Sequence, residues 1–498
     1  MLKTKPLNDP QWAQWTLIMI LGLSVLRTAL MVISPLNLHG DEAQYWAWAQ
    51  ELDWGYFTKP PMIAWVIAAT TAVFGDAEWA VRLSSPLLHS LIAYVMFRTA
   101  RFAFDSQTGF WAALIYLLMP AVWLSSGIVS TDVPLLLCWI TALNAWLHLR
   151  RTPHWGFAVQ LGIALGLGIL SKYAMLFFFP ALIAAIIGDR DTRRALLSQY
   201  GLITAGITAL IVAPNIMWNI NNDFATVTHT AANANLKGIP IHPLEALSFI
   251  VSQFAVFGPI SFVLLLCALR AALKGRLQTP SLWLAGFVLS PLLIILLEAF
   301  LSRANANWAV TAYATGSILS AHFLVQSWPQ WGRIFIRTKA VVTAFCFAVG
   351  LLVINPAFAD KMGLSNSLKR LRAWPETSAL IEAHYKAGHE GLSYSHIAVD
   401  NRRVFFSLNY YGLPRTASLK IWRRISKPQN HAELKHPLAD GTIGPVLIIA
   451  YFKNYTPELE EDFDRLVPLE PIALDLGGGI SRSYNVWAGY GYKQTTER

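Results

Sequence analysis

His39-Gly40-Asp41-Glu42-Ala43-Gln44-Tyr45-Trp46 is a short polar stretch that directly follows the first long apolar run of this chain. A second polar and aromatic stretch comes soon after it, Asp53-Trp54-Gly55-Tyr56-Phe57-Thr58-Lys59-Pro60-Pro61. Together they place two adjacent carboxylates and a lysine among aromatic residues, beside an apolar run long enough to span a membrane. A purely structural loop does not require this combination, so we expect a functional site here.

If the segment after Gly40 is helical, its two acidic residues lie on neighbouring faces. In a helix that begins after Gly40, Asp41, Tyr45 and Trp48 share one face, and Glu42 lies on the next. One carboxylate is then placed to meet a substrate, while its neighbour binds a metal or orients the helix. The alternative is that Asp41 merely occupies a helix N-terminus, where the helix dipole favours negative charge.

The composition predicts a polytopic membrane protein. Of the 498 residues, 55% are hydrophobic and 14% are charged, whereas soluble domains carry about 25% charged residues. The net charge of +10 does not indicate nucleic-acid binding, because the basic residues lie in short loops between apolar runs. About 11 membrane spans are predicted, near 15–35, 80–101, 107–126, 133–149, 155–171, 173–188, 199–217, 245–268, 281–301, 306–326 and 339–356.

The loops between these spans differ in charge, and this difference predicts their orientation. A shorter apolar stretch, 61–74, is predicted to be a helix that lies at the membrane interface or dips partway into the membrane. Alternate loops that are rich in basic residues should face the cytoplasm, so the loop with Asp41 should face outward. The basic loops hold Lys3, Lys5, Arg98, Arg101, Arg150, Arg151, Arg190, Arg193, Arg194, Arg270, Lys274, Arg276, Arg333, Arg337 and Lys339, and the opposite loops hold only Lys59, Lys172, Lys237 and Arg303.

Beyond the last span the chain becomes more charged, and helical and strand patterns alternate. A helix is predicted near 374–388, and strands at 394–399, 445–451 and 484–489. We therefore predict an all-α transmembrane catalytic domain, residues 1–360, followed by a small extracytoplasmic α/β domain, residues 361–498. The three cysteines lie in apolar runs and are not spaced for a metal site or a disulfide framework.

Several other polar residues are predicted at the outer ends of spans. Lys59 precedes two prolines and is placed to pair with a phosphate, or else its ammonium group merely reaches the membrane interface. Asp132 either caps the next helix or binds a metal or sugar. Lys172 lies in strongly apolar sequence, where a charge is costly and is by default a functional candidate. The nearby Gly162 and Gly166 lack a P-loop pattern and predict close helix packing.

Two polar and aromatic outer loops complete the set of candidates. Arg303 is a candidate for a second phosphate contact, and His229 is either a metal ligand or a hydrogen-bonded structural residue. Metal use is left open, with Glu42, Asp132 and His229 as candidate ligands. The residues predicted to bind substrate are Lys59, Asp132, Lys172, Tyr45, Tyr56, Arg303, Asn307 and Trp308.

These motifs resemble those of the bacterial members of the dolichyl-phosphate-mannose-protein mannosyltransferase superfamily. The similarity is greatest to the branch that includes the aminoarabinose transferases acting on lipid A. It rests on the Asp-Glu-Ala-x-Tyr-Trp and Asp-Trp-Gly-Tyr-Phe-x-Lys-Pro-Pro patterns, and extends to 130–134, 170–173, 214–219 and 307–308. The resemblance implies a GT-C fold, with its active site at the outer membrane face and a polyprenyl-phosphate-linked sugar as donor.

The resemblance also implies roles for individual residues. Asp41 would be the catalytic carboxylate, Glu42 the second acid of the same motif, and Lys59 a contact to the donor phosphate. Metal use varies across the superfamily, so a divalent ion is neither required nor excluded.

The expected function is transfer of a sugar to an envelope acceptor, with lipid A or lipopolysaccharide the leading candidate, by an inverting displacement. The protein would lie in the bacterial inner membrane, with its active site and C-terminal domain in the periplasm. One alternative is a protein O-glycosyltransferase of the same superfamily. A different class is a transporter or flippase of lipid-linked sugars, which would favour internal repeats and polar residues at mid-membrane. The polar residues here cluster at one face, which favours the enzyme.

Overall fold

The computed structural model of this chain describes residues 8–234, 241–413 and 417–495, so Lys3, Lys5 and Lys237 lie outside the described residues. Contacts divide the chain into two compact units. The first unit comprises Met1–Val32, Lys59–Val66 and Arg82–Val349, and the second comprises Ile33–Thr58, Ile67–Val81 and Gly350–Arg498. The segment around Asp41 therefore belongs to the same unit as the C-terminal region. The predicted domain boundary at residue 360 stays a prediction.

Nearly every apolar run that was predicted to span the membrane forms a helix. Short 3₁₀ segments, Tyr173–Phe177 and Ala306–Ala309, precede two of these helices. The helices are α1 (Asp9–Val32), α2 (Gly40–Gln50), α3 (Met62–Phe74), α4 (Glu78–Arg82), α5 (Ser84–Ala103), α6 (Ser106–Leu117), α7 (Pro120–Ser125), α8 (Asp132–Arg151), α9 (Trp155–Ser171), α10 (Phe178–Gly188), α11 (Arg190–Leu196), α12 (Gln199–Asn221), α13 (Ala225–Ala234), α14 (Pro243–Phe257), α15 (Pro259–Leu273), α16 (Pro280–Leu301), α17 (Thr311–Gln326) and α18 (Trp328–Ile354).

The helical, multi-pass character of the chain is confirmed, but the count of about 11 spans is not. Within the described ranges, six helices are long and apolar enough to cross a membrane, or up to eight if each of two bent pairs forms one span. One such pair is α14 and α15, which the sequence pattern predicted as a single span. The two helices bend by 112° because Gly258 adopts φ +90° and Pro259 cannot donate a backbone hydrogen bond.

Close packing of α9 against α12 confirms the prediction for the glycines of α9. A Cβ atom at Gly162 would lie 2.8 Å from the Thr204 carbonyl oxygen, and one at Gly166 would lie 2.9 Å from the Ile211 Cβ. The hydroxyl of Thr204 donates a hydrogen bond to the Ala158 carbonyl across the same contact. Small residues therefore bring the two backbones together, as is common between helices in membranes.

The C-terminal region forms a five-stranded mixed sheet with the strand order β2-β1-β3-β5-β4. The strands β1, β2 and β3 are parallel, and β5 is antiparallel to both β3 and β4. The strands are β1 (His396–Val399), β2 (Leu419–Ile421), β3 (Val446–Ala450), β4 (Phe463–Asp475) and β5 (Ser481–Tyr492). The accompanying helices are α19 (Pro356–Lys361), α20 (Ser365–Leu368), α21 (Trp374–Ala387), α22 (Arg402–Tyr410), α23 (His431–Lys435) and α24 (Thr456–Asp462), with 3₁₀ turns at Lys369–Leu371 and Lys453–Tyr455.

The predicted helix at 374–388 and the three predicted strands are confirmed, but two strands were missed. Strand β2 has only three residues, which is too short for an alternating pattern to be visible. Strand β4 contains Pro468 and Pro471 and several charged residues, which argue against a strand. It forms nonetheless because it lies at the edge of the sheet, where proline and charge are tolerated.

Candidate active site

Helix α2 positions Asp41, and the sequence before it explains why the helix begins at Gly40. His39 is the N-cap residue, and its Nδ1 atom accepts a hydrogen bond from the Asp41 backbone N–H at 3.3 Å. Burial lowers the pKa of His39, so the ring is neutral and Nδ1 is free to accept. The Glu42 carboxylate in turn accepts from the His39 backbone N–H at 2.9 Å, which completes a capping box.

The two adjacent carboxylates therefore have different surroundings. Glu42 is 3% exposed and turned towards the backbone, whereas the Asp41 side chain is 36% exposed. Asp41 faces two guanidinium groups from α22. Its Oδ1 atom lies 3.4 Å from Arg402 Nη2 and 3.9 Å from Arg403 Nε. Asp41 is thus the carboxylate that a ligand can reach, and it is held between cations.

The two arginines are fixed by α22 and by α2. The Asn401 side chain caps α22 and accepts from the backbone N–H groups of Arg403 and Val404. Arg402 also donates to the buried Gln44 side chain at 2.6 Å. The sequence analysis did not identify Arg402 and Arg403 as part of a site. Their position could have indicated one, because two cations in the first turn of a helix oppose the helix dipole.

Gly40 sets the distance between α2 and α22, and we expect Gly40→Ala to destabilise this contact. The new Cβ atom would lie 2.7 Å from the Arg403 Cβ, so the two helices must separate. Overpacking of this kind costs about 1–3 kcal/mol, and thermal unfolding of the purified protein measures it. The matched control is Gly206→Ala in α12, where no atom lies within 4 Å of the new Cβ. An equal unfolding midpoint in both variants would contradict the close contact.

Aromatic residues surround the other end of α2. The ring of Tyr56 stacks on Trp48 with centroids 4.5 Å apart, and His431 lies edge-on to both rings. Tyr45 contacts Trp48, and Trp46 packs edge-on to Tyr410. The predicted face of Asp41, Tyr45 and Trp48 is therefore helical, and its aromatic members are in contact.

A cavity of about 260 Å³ lies beside this aromatic group. Its lining includes Trp48 and His431, both buried, and each has a ring nitrogen that finds no hydrogen-bond partner among the described residues. Burial lowers the pKa of His431 to about 3, so this ring is neutral. Aromatic faces with neutral hydrogen-bonding groups suit a hydroxyl-bearing ring such as a sugar.

A second polar cluster lies in the first unit and joins three of the predicted residues. The Lys172 ammonium lies 2.7 Å from Asp132 Oδ1, and the Asn307 side chain donates to Asp132 Oδ2 at 3.1 Å. Asp132 lies in the first turn of α8 and its side chain does not cap that helix. Beside it, Tyr173 donates to Asn215 and accepts from Asn219. The ion pair neutralises the lysine that the apolar sequence made costly.

The remaining predicted residues are placed as follows. Lys59 is half-buried before α3, and Arg303 is exposed between α16 and the next 3₁₀ turn. Trp308 packs against buried apolar residues of α14 and α16, and His229 is half-buried in α13. Their predicted contacts to a substrate stay predictions.

The candidate metal ligands do not form a cluster. Throughout the described part of the chain, no group of three or more His, Cys, Asp or Glu side chains is close enough to hold a metal ion. Glu42 binds the backbone of His39, and Asp132 pairs with Lys172. The divalent ion therefore stays a prediction.

Comparisons with known proteins show which relatives this chain has. Residues 58–218 match the family model described as dolichyl-phosphate-mannose-protein mannosyltransferase. A relative from Rhizobium johnstonii, lipid A galacturonosyltransferase RgtD, is 34% identical over 439 residues, covering 87% of this chain and 90% of that relative. An undecaprenyl phosphate-alpha-4-amino-4-deoxy-L-arabinose arabinosyl transferase from Pseudomonas fluorescens is 30% identical, but over only 40% of this chain and 37% of that relative.

A solved structure has the same fold over almost the whole chain. It is ArnT from Cupriavidus metallidurans bound to undecaprenyl phosphate, which covers 94% of this chain and 97% of its own length with a TM-score of 0.65. The sequences are 16% identical, so this likeness concerns the fold alone.

Proposed function

This chain belongs to the GT-C glycosyltransferases of the dolichyl-phosphate-mannose-protein mannosyltransferase superfamily, and from that membership we propose that it transfers a galacturonosyl group from a polyprenyl-phosphate donor to lipid A. It is a multi-pass membrane enzyme of the class that uses polyprenyl-phosphate-linked sugars. Galacturonic acid is proposed as the sugar because two guanidinium groups, those of Arg402 and Arg403, lie beside Asp41. The relative that matches most of the chain is named for the same sugar and acceptor.

The charges beside Asp41 favour an anionic sugar over a cationic one. One carboxylate faces Arg402 and Arg403, and the Arg402 side chain is also bound to Gln44. The Arg403 side chain is 41% exposed and can present its N–H groups to a ligand. A guanidinium binds a carboxylate through two parallel hydrogen bonds. A sugar with an ammonium group, such as aminoarabinose, would add a third positive charge next to a single carboxylate.

The proposed reaction is a single displacement at the anomeric carbon. Asp41 accepts the proton of the attacking hydroxyl, or orients an acceptor that is already an anion such as a phosphate. The acceptor oxygen forms a bond to the anomeric carbon while the bond from that carbon to the phosphate oxygen breaks. Polyprenyl phosphate leaves with the electron pair, and the anomeric centre is inverted.

Lys59 and Arg303 are the contacts to the donor phosphate that the sequence predicts, and their positive charge would offset the charge of that phosphate. An ammonium acts as a point charge, whereas a guanidinium binds two oxygens at once. Glu42 is assigned a positioning role, because it stabilises the start of α2 through the His39 backbone. We place the reaction on the periplasmic side of the inner membrane, as the distribution of basic loops predicts.

The test is transfer by the purified full-length chain, with lipid A as acceptor and the products weighed by mass spectrometry. Three donors are compared, polyprenyl-phosphate galacturonic acid, galactose and aminoarabinose. We expect the galacturonosyl product to form at least about tenfold faster than the galactosyl product, because a site built for a polar group discriminates against its absence. Equal use of galactose would overturn the choice of sugar. Product on a peptide but not on lipid A would favour the protein O-glycosyltransferase.

Arg403→Gln is expected to remove much of this preference. The substitution keeps the Cβ and Cγ atoms that pack near Gly40 but removes the charge. A hydrogen bond to a charged group contributes about 1.5–3 kcal/mol, so the ratio of galacturonosyl to galactosyl rates should fall about 10- to 100-fold.

The matched control for Arg403→Gln is Arg465→Gln. Arg465 lies on the edge strand β4 of the second unit, and its exposed side chain also pairs with a carboxylate, that of Glu390. We expect this variant to keep the wild-type ratio of rates. An unchanged ratio in Arg403→Gln would show that its guanidinium does not bind the sugar carboxylate.

A further inference from the structure

A pocket of about 640 Å³ lies in the first unit, and its lining includes none of the candidate active-site residues described above. It is formed by α1, by the C-terminal turns of α5 and by the end of α8. Three arginines and an apolar floor line it, and they include Arg98, Arg101, Arg151, Leu17, Phe97 and Phe102. We call this the arginine pocket.

The charge of the arginine pocket is largely uncompensated. Arg101 lies 3.7 Å from Asp9, but these side chains are 48% and 64% exposed, so the pair contributes little. Within the part of the chain that the structure describes, Arg98 and Arg151 form no ion pair. Arg98 donates to the hydroxyl of Tyr94 at 3.4 Å, and the Arg151 guanidinium lies over the ring of Phe102 at 5.2 Å. A hydrogen bond therefore orients the Arg98 guanidinium and a cation–π contact orients that of Arg151, and neither contact uses all of the N–H groups.

We propose that the arginine pocket binds the phosphate headgroup of an anionic membrane phospholipid. The arginines supply hydrogen bonds and positive charge for the phosphate. Phe97 and Phe102 supply an apolar surface beside it, and the exposed Leu17 continues this surface onto the lipid-facing side of α1. A soluble phosphate ion makes no apolar contact with this floor, whereas the acyl chains of a phospholipid would cover it.

The location of the pocket fits the same occupant. Arg98, Arg101 and Arg151 lie near the C-terminal ends of α5 and α8. Both ends belong to helical segments long enough to span the membrane, and the sequence predicts that they face the cytoplasm. A basic pocket between helix ends at a membrane boundary binds anionic headgroups. This site does not depend on the proposed transfer reaction, and its test does not measure transfer.

The test is native mass spectrometry of the full-length protein in detergent, with phosphatidylglycerol or phosphatidylcholine added. We expect phosphatidylglycerol to bind in preference to phosphatidylcholine. The variant R98Q/R101Q/R151Q should bind it about a hundredfold more weakly, because each arginine near an anionic lipid contributes about fivefold. The matched control is R270Q/K274Q/R276Q, which removes the same charge from the end of α15 and should bind like the wild type.

The remaining outcomes are equally decisive. Equal binding of both lipids, or undiminished binding of phosphatidylglycerol by the triple variant, would overturn the proposal. If inorganic phosphate raises the unfolding midpoint of delipidated protein as much as phosphatidylglycerol does, the site is a soluble-phosphate site and the lipid assignment is wrong. Should the triple variant not fold, Arg151→Gln alone decides, with an expected loss of about fivefold. No loss in that variant would count against the proposal.

Discussion

Asp41→Asn is expected to reduce sugar transfer by about 10²- to 10⁴-fold, the contribution of a positioned general base. Asparagine has the shape of aspartate but cannot take up the acceptor proton and carries no charge to pair with Arg402 and Arg403. The start of α2 should survive, because its capping depends on His39 and Glu42 rather than on the Asp41 side chain. Initial rates with excess lipid A and donor measure the loss, and the unfolding midpoint reports whether the fold is intact.

A substitution of the neighbouring Glu42 serves as the comparison for Asp41→Asn. Glu42→Gln keeps an oxygen that can accept from the His39 backbone N–H, so we expect a loss of about tenfold or less, due to a looser helix start. Glu470→Gln, on the exposed edge strand β4, should have no effect. If Glu42→Gln abolishes transfer while Asp41→Asn does not, the roles of the two carboxylates are exchanged and the proposed mechanism is wrong.

The face that Asp41 shares with Tyr45 and Trp48 followed from sequence once α2 was taken as helical, because helical spacing is local. A cap residue, a glycine and an acidic first turn lie within four positions of one another, from His39 to Glu42. The same reasoning predicted that Lys172 needs a special environment, but not its partner. Asp132 is 40 residues away in the chain, and no local pattern links the two.

The contacts of Arg402 and Arg403 with Asp41 could not be predicted from the sequence. The two arginines meet Asp41 from more than 350 positions away, through a helix of the C-terminal region. The predicted division at residue 360 assigned this helix to a separate domain, so the sequence analysis did not connect its arginines with Asp41. Their position in the first helical turn was the available signal, since a cation there is disfavoured unless something else holds it.

Breaking the Asp132–Lys172 pair is expected to destabilise the protein, and the double variant should separate stability from activity. The side chains are 16% and 21% exposed, so either Asp132→Asn or Lys172→Met leaves a largely buried, uncompensated charge. A fully buried pair would cost about 3–5 kcal/mol to break, and the partial exposure here reduces this to about 1–3 kcal/mol. The double variant D132N/K172M removes both charges and should regain most of the unfolding midpoint.

Transfer by the double variant then decides what the pair does. If Asp132 and Lys172 bind substrate, as the sequence analysis predicts, transfer stays at least about tenfold low although stability returns. The matched control is the Arg150–Asp189 pair of the same unit, joined by hydrogen bonds of 2.6 and 2.9 Å. Each single neutral variant of Arg150 or Asp189 should lose stability and transfer, and the variant with both residues neutralised should regain both. If transfer returns with stability at Asp132 and Lys172 as well, the pair serves only the fold, because a binding role cannot survive the removal of both charges.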